Sequence, residues 1–244
     1  MRELLRGLLD LALPPICARC GHDVERSLLL CPRCIAALPR IAADRCVRCQ
    51  QAPMGDPRSL CDACDAQHSA LDACIAGVWY RDEIEGWIRR FKYPRRGLGS
   101  FDAEATTLAR GLARVTAARV TELELEPTPD CVVPIPLHRR ALSRRCFNPA
   151  ALLAREIARA TRVPLVCVAL QRVRDTPSQT GLDRAARRRN VRDAFRARSP
   201  QPSHVWLVDD VVTTGATLDE AAHALRAAGA RRVTALCAAR TPAS

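Results

Sequence analysis

The chain has 244 residues, 48% of them hydrophobic, and a formal charge of +12 at pH 7. This length suits one large domain with a small one, or two modest domains, and the apolar content excludes general disorder. No apolar run reaches the ~18 residues that a membrane-spanning helix needs. All basic residues except Lys92 are arginine. The arginine surplus favours partners that carry phosphate, although codon usage in a GC-rich genome is an alternative explanation.

The first 15 residues, MRELLRGLLDLALPP, predict a short amphipathic helix. Glu3, Arg6 and Asp10 interrupt its apolar run. Because no small-residue cleavage site follows, a secretory signal is not expected. We therefore expect a cytoplasmic protein without membrane insertion.

Eight of the 13 cysteines form four C-x-x-C pairs within the first 64 residues. Each such turn lets two thiolates reach one tetrahedral ion at ~2.3 Å, so four turns predict two structural Zn2+ sites. A disulfide framework would suit a secreted protein, and a redox motif would be a single pair in a βαβ context. Pairing in chain order is favoured, and crossed pairing stays open. The expected ligands are Cys17, Cys20, Cys31 and Cys34 in one site, and Cys46, Cys49, Cys61 and Cys64 in the other.

The segment after Cys64 predicts a strand over 74–80 and helices over 82–93 and 101–120. In the first helix, apolar residues recur at the i, i+3, i+4 and i+7 spacing of a buried helix face. These residues are Ile84, Trp87, Ile88 and Phe91. Pro94 is expected to end that helix.

From residue 130 onward, predicted strands alternate with predicted helices. The strands span 131–136, 163–170, 203–208 and 231–239, and the helices span 149–160 and 217–228. Asn148 followed by Pro149 predicts the start of the first of these helices. The alternation predicts an α/β fold with a mostly parallel sheet and helices on both faces. The arginine-rich stretch 171–202 is typical of a functional or mobile loop.

Three cysteines outside the pairs, Cys131, Cys167 and Cys237, lie in apolar runs and are expected in the core.

The stretch VWLVDDVVTTGATL (205–218) places two carboxylates after a buried strand and a Thr-Gly turn before a helix. Ligands of parallel sheets bind beyond the carboxyl ends of the strands. The helix N-terminus and the threonine hydroxyls favour a phosphate, while Asp209 and Asp210 can accept bonds from sugar hydroxyls. The order therefore suits a ribose 5-phosphate unit. The alternative is a solvated Asp pair beside a capped helix.

The same stretch closely resembles the phosphoribosyl-pyrophosphate (PRPP) signature of type I phosphoribosyltransferases. The chain as a whole resembles one branch of that superfamily, the ComF family of competence-related proteins, which has a double zinc ribbon. Beyond the cysteine pairs, this resemblance rests on FKY (91–93), VPIPLHRRALSRRCFNPA (133–150) and RVRDTPSQTGLDRAARRRNVRDAF (172–195). One departure is Cys146, which stands where the family usually has glycine. Cysteine at this position requires a backbone without positive φ.

The resemblance implies a role for each matching segment. Asp209 and Asp210 would hold the ribose hydroxyls, with Mg2+ bridging from the pyrophosphate. Residues 171–195 would be the mobile loop, whose arginines would contact the anion or form a solvated basic face. The implied phosphate-binding residues are Thr213, Thr214, Gly215, Ala216 and Thr217, and the implied pyrophosphate turn is Ile135, Pro136, Leu137, His138 and Arg139. The arginines in question are Arg172, Arg174, Arg187, Arg188 and Arg189.

The resemblance also implies domains and function. A double zinc-ribbon domain over 1–66 would precede a phosphoribosyltransferase-like domain over 74–244. The chain would bind PRPP or a similar ribose phosphate and take part in DNA uptake, with single-stranded DNA and DNA-uptake proteins as partners. The alternative is an active transferase that moves phosphoribose from PRPP to an unidentified acceptor. An amide-transferring relative would need a glutaminase cysteine at its mature N-terminus, whereas Cys17 belongs to a zinc pair.

Overall fold

The computed structural model describes most of the chain. The described residues are 16–17, 19–25, 30–56, 58–93, 101–124, 128–176, 183–198 and 202–243. For residues 101–104 and 184, only the backbone is described. The helix predicted over 1–15 and the helix stop at Pro94 fall outside the described residues. Within the described residues, no helix is long and apolar enough to cross a bilayer.

Helices and strands alternate through the second part of the chain. The helices are α1 (Pro32–Ala36), α2 (Asp62–Asp65), α3 (Glu83–Lys92), α4 (Phe101–Glu122), α5 (Arg139–Arg145), α6 (Pro149–Thr161), α7 (Arg184–Val191) and α8 (Ala216–Ala227). The strands are β1 (Ala73–Trp79), β2 (Cys131–Pro134), β3 (Leu170–Arg172), β4 (Phe195–Ala197), β5 (His204–Val212) and β6 (Arg232–Arg240).

Four strands form a parallel sheet in the order β1-β6-β5-β2. The predicted parallel α/β fold is therefore confirmed. The predicted strand 163–170 is wrong in extent, because only a single bridge joins Leu165 to Val132 at the edge of the sheet. Its last residue, Leu170, instead begins β3, which pairs antiparallel with β4. An apolar run shows that a segment can be buried, but it does not identify the neighbouring strand.

The sheet is covered on both faces, which explains the continuous apolar run in β5. Trp206 and Val208 point into a core shared with α4 and α6, and Val205 and Leu207 point into a second core shared with α8. Successive strand residues face opposite sides, so both sets must be apolar when both faces are covered. The same two cores bury the predicted apolar face of α3 and two of the three predicted core cysteines. Cys167 is exposed, so that prediction is wrong.

Two local predictions about the segment before α6 have different outcomes. The Asn148 side chain accepts a bond from the Ala150 amide, which confirms it as the N-cap. Cys146, in contrast, has φ +66° and ends α5, and its amide donates to the Leu142 carbonyl at 2.7 Å. The expectation of a backbone without positive φ is wrong because helix α5, which the sequence pattern did not predict, ends in a left-handed cap. Such a cap costs a non-glycine residue about 1 kcal/mol.

The N-terminal region covers the outer edge of β1. The amides of Cys74 and Trp79 donate to the carbonyls of Val47 and Pro39, at 2.9 and 2.8 Å. Between them, the Ala76 amide donates to the Gln50 side chain at 2.8 Å. Uncovered strand edges are templates for aggregation, so this region completes the sheet.

Candidate ligand site and metal centres

The eight paired cysteines converge on two points. Within each set of four, the sulfur atoms all lie within 4.8 Å of one another, and the sets follow chain order. In each set an amide donates to the first sulfur: Cys31 to Cys17 at 3.3 Å, and Cys61 to Cys46 at 3.4 Å. Four thiol donors suit tetrahedral Zn2+. We call residues 17–34 the first knuckle and residues 46–64 the second knuckle.

The acidic pair lies inside β5, which continues to Val212 rather than ending at residue 208. Asp210 faces the α3 side, where the Lys92 ammonium lies 2.9 Å from its Oδ1 atom. Asp209 faces the opposite side, where Arg172 of β3 contributes a positive charge. Lys92 therefore contacts Asp210 directly and also acts on Asp209, to which Arg172 adds a second positive charge.

Asp209 is held in an environment that disfavours its charged form. Burial raises the pKa of Asp209 to about 7, with a further contribution from the charge of Asp210. Lys92 and Arg172 act in the opposite direction, and so does the Asp210 amide, which donates to Asp209 Oδ1 at 2.9 Å. The protein therefore maintains a carboxylate here at a cost in stability.

Asp209→Asn should stabilise the protein in a pH-dependent way. Because the folded-state pKa is raised from 3.8 to about 7, the charged form of Asp209 costs no stability below pH 3.8, and the cost grows as pH rises from 3.8 to about 7. The variant's melting temperature should therefore match that of wild type below pH 3.8 and exceed it above pH 7, by roughly 2–4 °C for each kcal/mol of stability regained. Scanning calorimetry across pH measures the difference. The exposed Asp193→Asn is the control, and a flat Asp209→Asn difference contradicts the prediction.

The segment after β5 forms the turn that leads into α8. Gly215 has φ +78° and is the N-cap of α8, and the Ala216 amide lies 3.4 Å from Thr214 Oγ1. The first amides of a helix have no acceptor within the helix. This geometry places amides and hydroxyls at one helix N-terminus, which favours an anion. Any side chain at position 215 would be strained by the positive φ.

The predicted turn 135–139 lies beside the acidic pair. The Ile135 amide donates to the Val208 carbonyl at 2.8 Å, and the Asn148 side chain donates to the Ile135 carbonyl at 2.9 Å. His138 caps α5 and lies 3.4 Å from Asp175. Arg139 belongs to α5 and not to the turn.

Two clefts share the acidic pair. The turn-side cleft, of about 540 Å³, is lined by the 135–138 turn and by Arg172. The loop-side cleft, of about 460 Å³, is lined by residues 213–217. Pro136 and Arg139 line neither cleft. Among the predicted anion-contacting arginines, Arg172 and Arg187 each line one cleft, while Arg174, Arg188 and Arg189 line neither.

The sequence analysis missed Lys92, which lines both clefts. Its position as the only lysine, inside the FKY segment, was the available signal. Tyr93 and Arg145 also line the turn-side cleft, where the guanidinium stacks 4.9 Å from the Tyr93 ring and donates to its hydroxyl at 2.9 Å.

The chain is similar to two protein families and to several individual proteins. The "Phosphoribosyl transferase domain" matches residues 108–244, and the "Double zinc ribbon domain" matches residues 8–65. DNA utilization protein YhgH of Escherichia coli (strain K12) is 34% identical over 228 residues, covering 93% of this chain and 90% of that protein. YhgH of Salmonella typhi is 32% identical over 229 residues with the same coverage. Competence protein F of Haemophilus influenzae is 30% identical over 234 residues, covering 93% and 91%.

Proposed function

Because the chain belongs to the phosphoribosyl transferase domain family, in the ComF branch with an N-terminal double zinc ribbon, we propose that it binds a ribose 5-phosphate or PRPP-type ligand. The observation that supports this proposal most is that two carboxylates of one strand and the N-terminus of the following helix line the same cleft. In this proposal Asp209 and Asp210 accept bonds from ribose hydroxyls, and residues 213–217 hold the 5-phosphate.

The turn-side cleft would take the group at the anomeric carbon. Leu137, His138 and Arg172 border this cleft. They are placed to bind a diphosphate and to stabilise its charge as it leaves. The oxygens of Asp209, Asp210 and the diphosphate are the hard donors that Mg2+ prefers, and Mg2+ would supply further charge neutralisation.

A second candidate is phosphoribosyl transfer to an acceptor. It is favoured by the volume of the turn-side cleft, which is within the range of small-molecule sites. In such a transfer, the bond from the anomeric carbon to pyrophosphate breaks, pyrophosphate leaves with its electron pair, and the acceptor's lone pair forms the new bond. The chain's contribution would be positioning and charge stabilisation.

Ligand protection tests the binding proposal. PRPP or ribose 5-phosphate with Mg2+, at 100 times the Kd, should stabilise the native state by about 2.7 kcal/mol. Thermal unfolding of the full chain measures the shift. Equal protection by inorganic phosphate would contradict the ribose assignment. Pyrophosphate release from PRPP with candidate bases then decides whether transfer occurs.

We also propose that the site serves the uptake or use of DNA. This proposal is supported by the names of the relatives, which include a competence protein and a DNA utilization protein. Charge gives further support, since two Zn2+ sites with four thiolates and a net charge of −2 each still leave +8 of the formal +12. Arginines of α5 line the turn-side cleft, and Arg187 of α7 lines the loop-side cleft. In this proposal, one DNA strand contacts both helices.

Neutralising Arg187, Arg188 and Arg189 together separates DNA binding from ligand binding. Single-strand affinity should fall with salt at a log–log slope of roughly −0.7 per phosphate neutralised. The triple Gln variant should flatten that slope by about two units if all three contact phosphate. Fluorescence anisotropy over a salt series measures it. A matched triple variant at the exposed Arg58, Arg81 and Arg231 should change the slope less.

A variant that keeps DNA binding but loses protection by PRPP would contradict the DNA role of α7. These arginines would then hold the diphosphate. If the variant keeps both, α7 is only a solvated face.

A further inference from the structure

The second knuckle is hydrogen-bonded to the beginning of the turn that precedes α8. The Val212 carbonyl accepts bonds from the amide and the hydroxyl of Thr241, at 3.0 and 3.1 Å. The Thr241 carbonyl accepts a bond from the Gln51 side chain at 3.1 Å. Gln51 in turn donates its amide to the sulfur of Cys49 at 3.4 Å. A continuous chain of contacts therefore runs from a cysteine of the second site to the residue before 213–217.

A second connection reaches the end of the same turn. Asp219 lies in the first turn of α8, and its Oδ1 atom accepts bonds from the Ser69 hydroxyl at 2.6 Å and the Ala70 amide at 2.9 Å. Arg48, between two cysteines of the second knuckle, ties this segment to the knuckle. It donates to the carbonyls of Cys64 and Leu71, at 2.6 and 3.1 Å. Hydrogen bonds thus connect the second knuckle to both ends of the turn, at Val212 and at Asp219.

A buried arginine joins the knuckle to the sheet beside the turn. Arg240 pairs in register with Val212 and is 4% exposed. Its guanidinium donates to the Arg48 carbonyl at 2.9 Å and to Gln50 Oε1 at 3.1 Å. Because this guanidinium is buried, losing the Gln50 acceptor would leave its Nε–H without the bond that it makes here.

The first knuckle has a different set of contacts. Leu30 and Cys34 pack in the core beside α3 and β1, and Arg19 forms an ion pair with Glu83 at 3.1 Å. The bonds that Val212 and the Asp219 side chain accept, described above, lead to the second knuckle and not to this one. The first knuckle, which also has four cysteines, is therefore a matched control for the second.

We infer that the second knuckle positions the phosphate-binding turn, so that loss of its metal, and not of the metal in the first knuckle, weakens binding of the phosphate group. Metal binding and knuckle folding are coupled. Without the ion, the knuckle no longer fixes the positions of Gln51, Arg48 and Ser69. The turn is then disordered in the free protein, and ordering it on binding costs conformational entropy, which lowers the ligand affinity. This inference rests on the proposed ligand site, and Gln51 and Ser69 are positioning residues in it.

The test compares Cys49→Ser with Cys20→Ser in the full chain. Each variant should retain about one zinc ion. We expect ribose 5-phosphate affinity, by calorimetry below both melting temperatures, to fall at least tenfold for Cys49→Ser and less than about twofold for Cys20→Ser. Inorganic phosphate should show the same ratio, because it reports on the turn alone. Equal losses in both variants, or none in either, would overturn the inference.

Two further measurements test the positioning role without requiring Cys49→Ser to fold. Gln51→Ala should retain two zinc ions and still weaken phosphate binding several-fold, which decides the question if Cys49→Ser does not fold. Hydrogen exchange of the 212–219 amides in the ligand-free protein should accelerate in Cys49→Ser and Gln51→Ala but not in Cys20→Ser. If wild type binds no ribose phosphate, the proposed function is wrong. Unchanged amide hydrogen exchange in Cys49→Ser and Gln51→Ala would, independently of that result, overturn the positioning role.

Discussion

Replacing Asp209 and Asp210 together with asparagine is expected to abolish ribose-dependent binding. Asparagine keeps the size of each side chain but removes the charge and one of the two acceptor oxygens. Hydrogen bonds to charged groups contribute about 1.5–3 kcal/mol each, so two of them correspond to a loss of at least a hundredfold. Calorimetric titration with ribose 5-phosphate and Mg2+ measures it. Zinc content should be unchanged, because neither aspartate belongs to either set of four cysteines.

Inorganic phosphate provides the control for this variant. Its contacts are expected at 213–217, so phosphate binding should persist in the double variant and weaken in Thr214→Val. A double variant that still binds ribose 5-phosphate as wild type does would show that the acidic pair is not the sugar site.

Loss of one cysteine from either set is expected to remove one zinc ion and unfold that knuckle. The purified chain should hold about two zinc ions by elemental analysis, and Cys17→Ser or Cys46→Ser should each lower the content by one. Structural zinc binding in small domains has an apparent free energy of about 10–16 kcal/mol, so the effect on local structure is large. Cys46→Ser should be the more harmful variant, because Val47 and Gln50 cover the edge of β1.

Metal content is compared with a charge-neutral control, Cys146→Ser, whose cysteine is exposed and outside both sets. That variant should retain both ions. A zinc content near one in wild type, or a requirement for oxidation to fold, would contradict two sites of four cysteines each.

Local signals in the sequence predicted much of the fold. The spacing of Ile84, Trp87, Ile88 and Phe91 follows from helix geometry alone, and all four are buried. Asn148 caps its helix because its side chain needs only a neighbouring amide. The C-x-x-C spacing likewise contains the ligand geometry, and the cysteines meet in the predicted groups.

Features that depend on distant residues could not be predicted in this way. Lys92 and Asp210 are far apart in the chain and meet only because α3 packs beside the end of β5. Leu165 forms one bridge instead of a strand, and nearby Cys167 is exposed, because tertiary packing decides which part of an apolar run is covered. The bonds from the second knuckle to Val212 and Asp219 have no local pattern either.

The strand order has a consequence for how the chain folds during synthesis. Strand β6, the last nine residues of the sheet to be made, lies between β1 and β5, the interior of the sheet. Until the ribosome releases this segment, β1 has no sheet partner on its inner side, and the pairing that joins it to β5 must wait. The zinc-binding region is synthesised before β1 and can already cover its outer edge. In a nascent chain, the inner edge of β1 and the facing edge of β5 therefore stay unpaired until β6 emerges, while the outer edge of β1 is already covered.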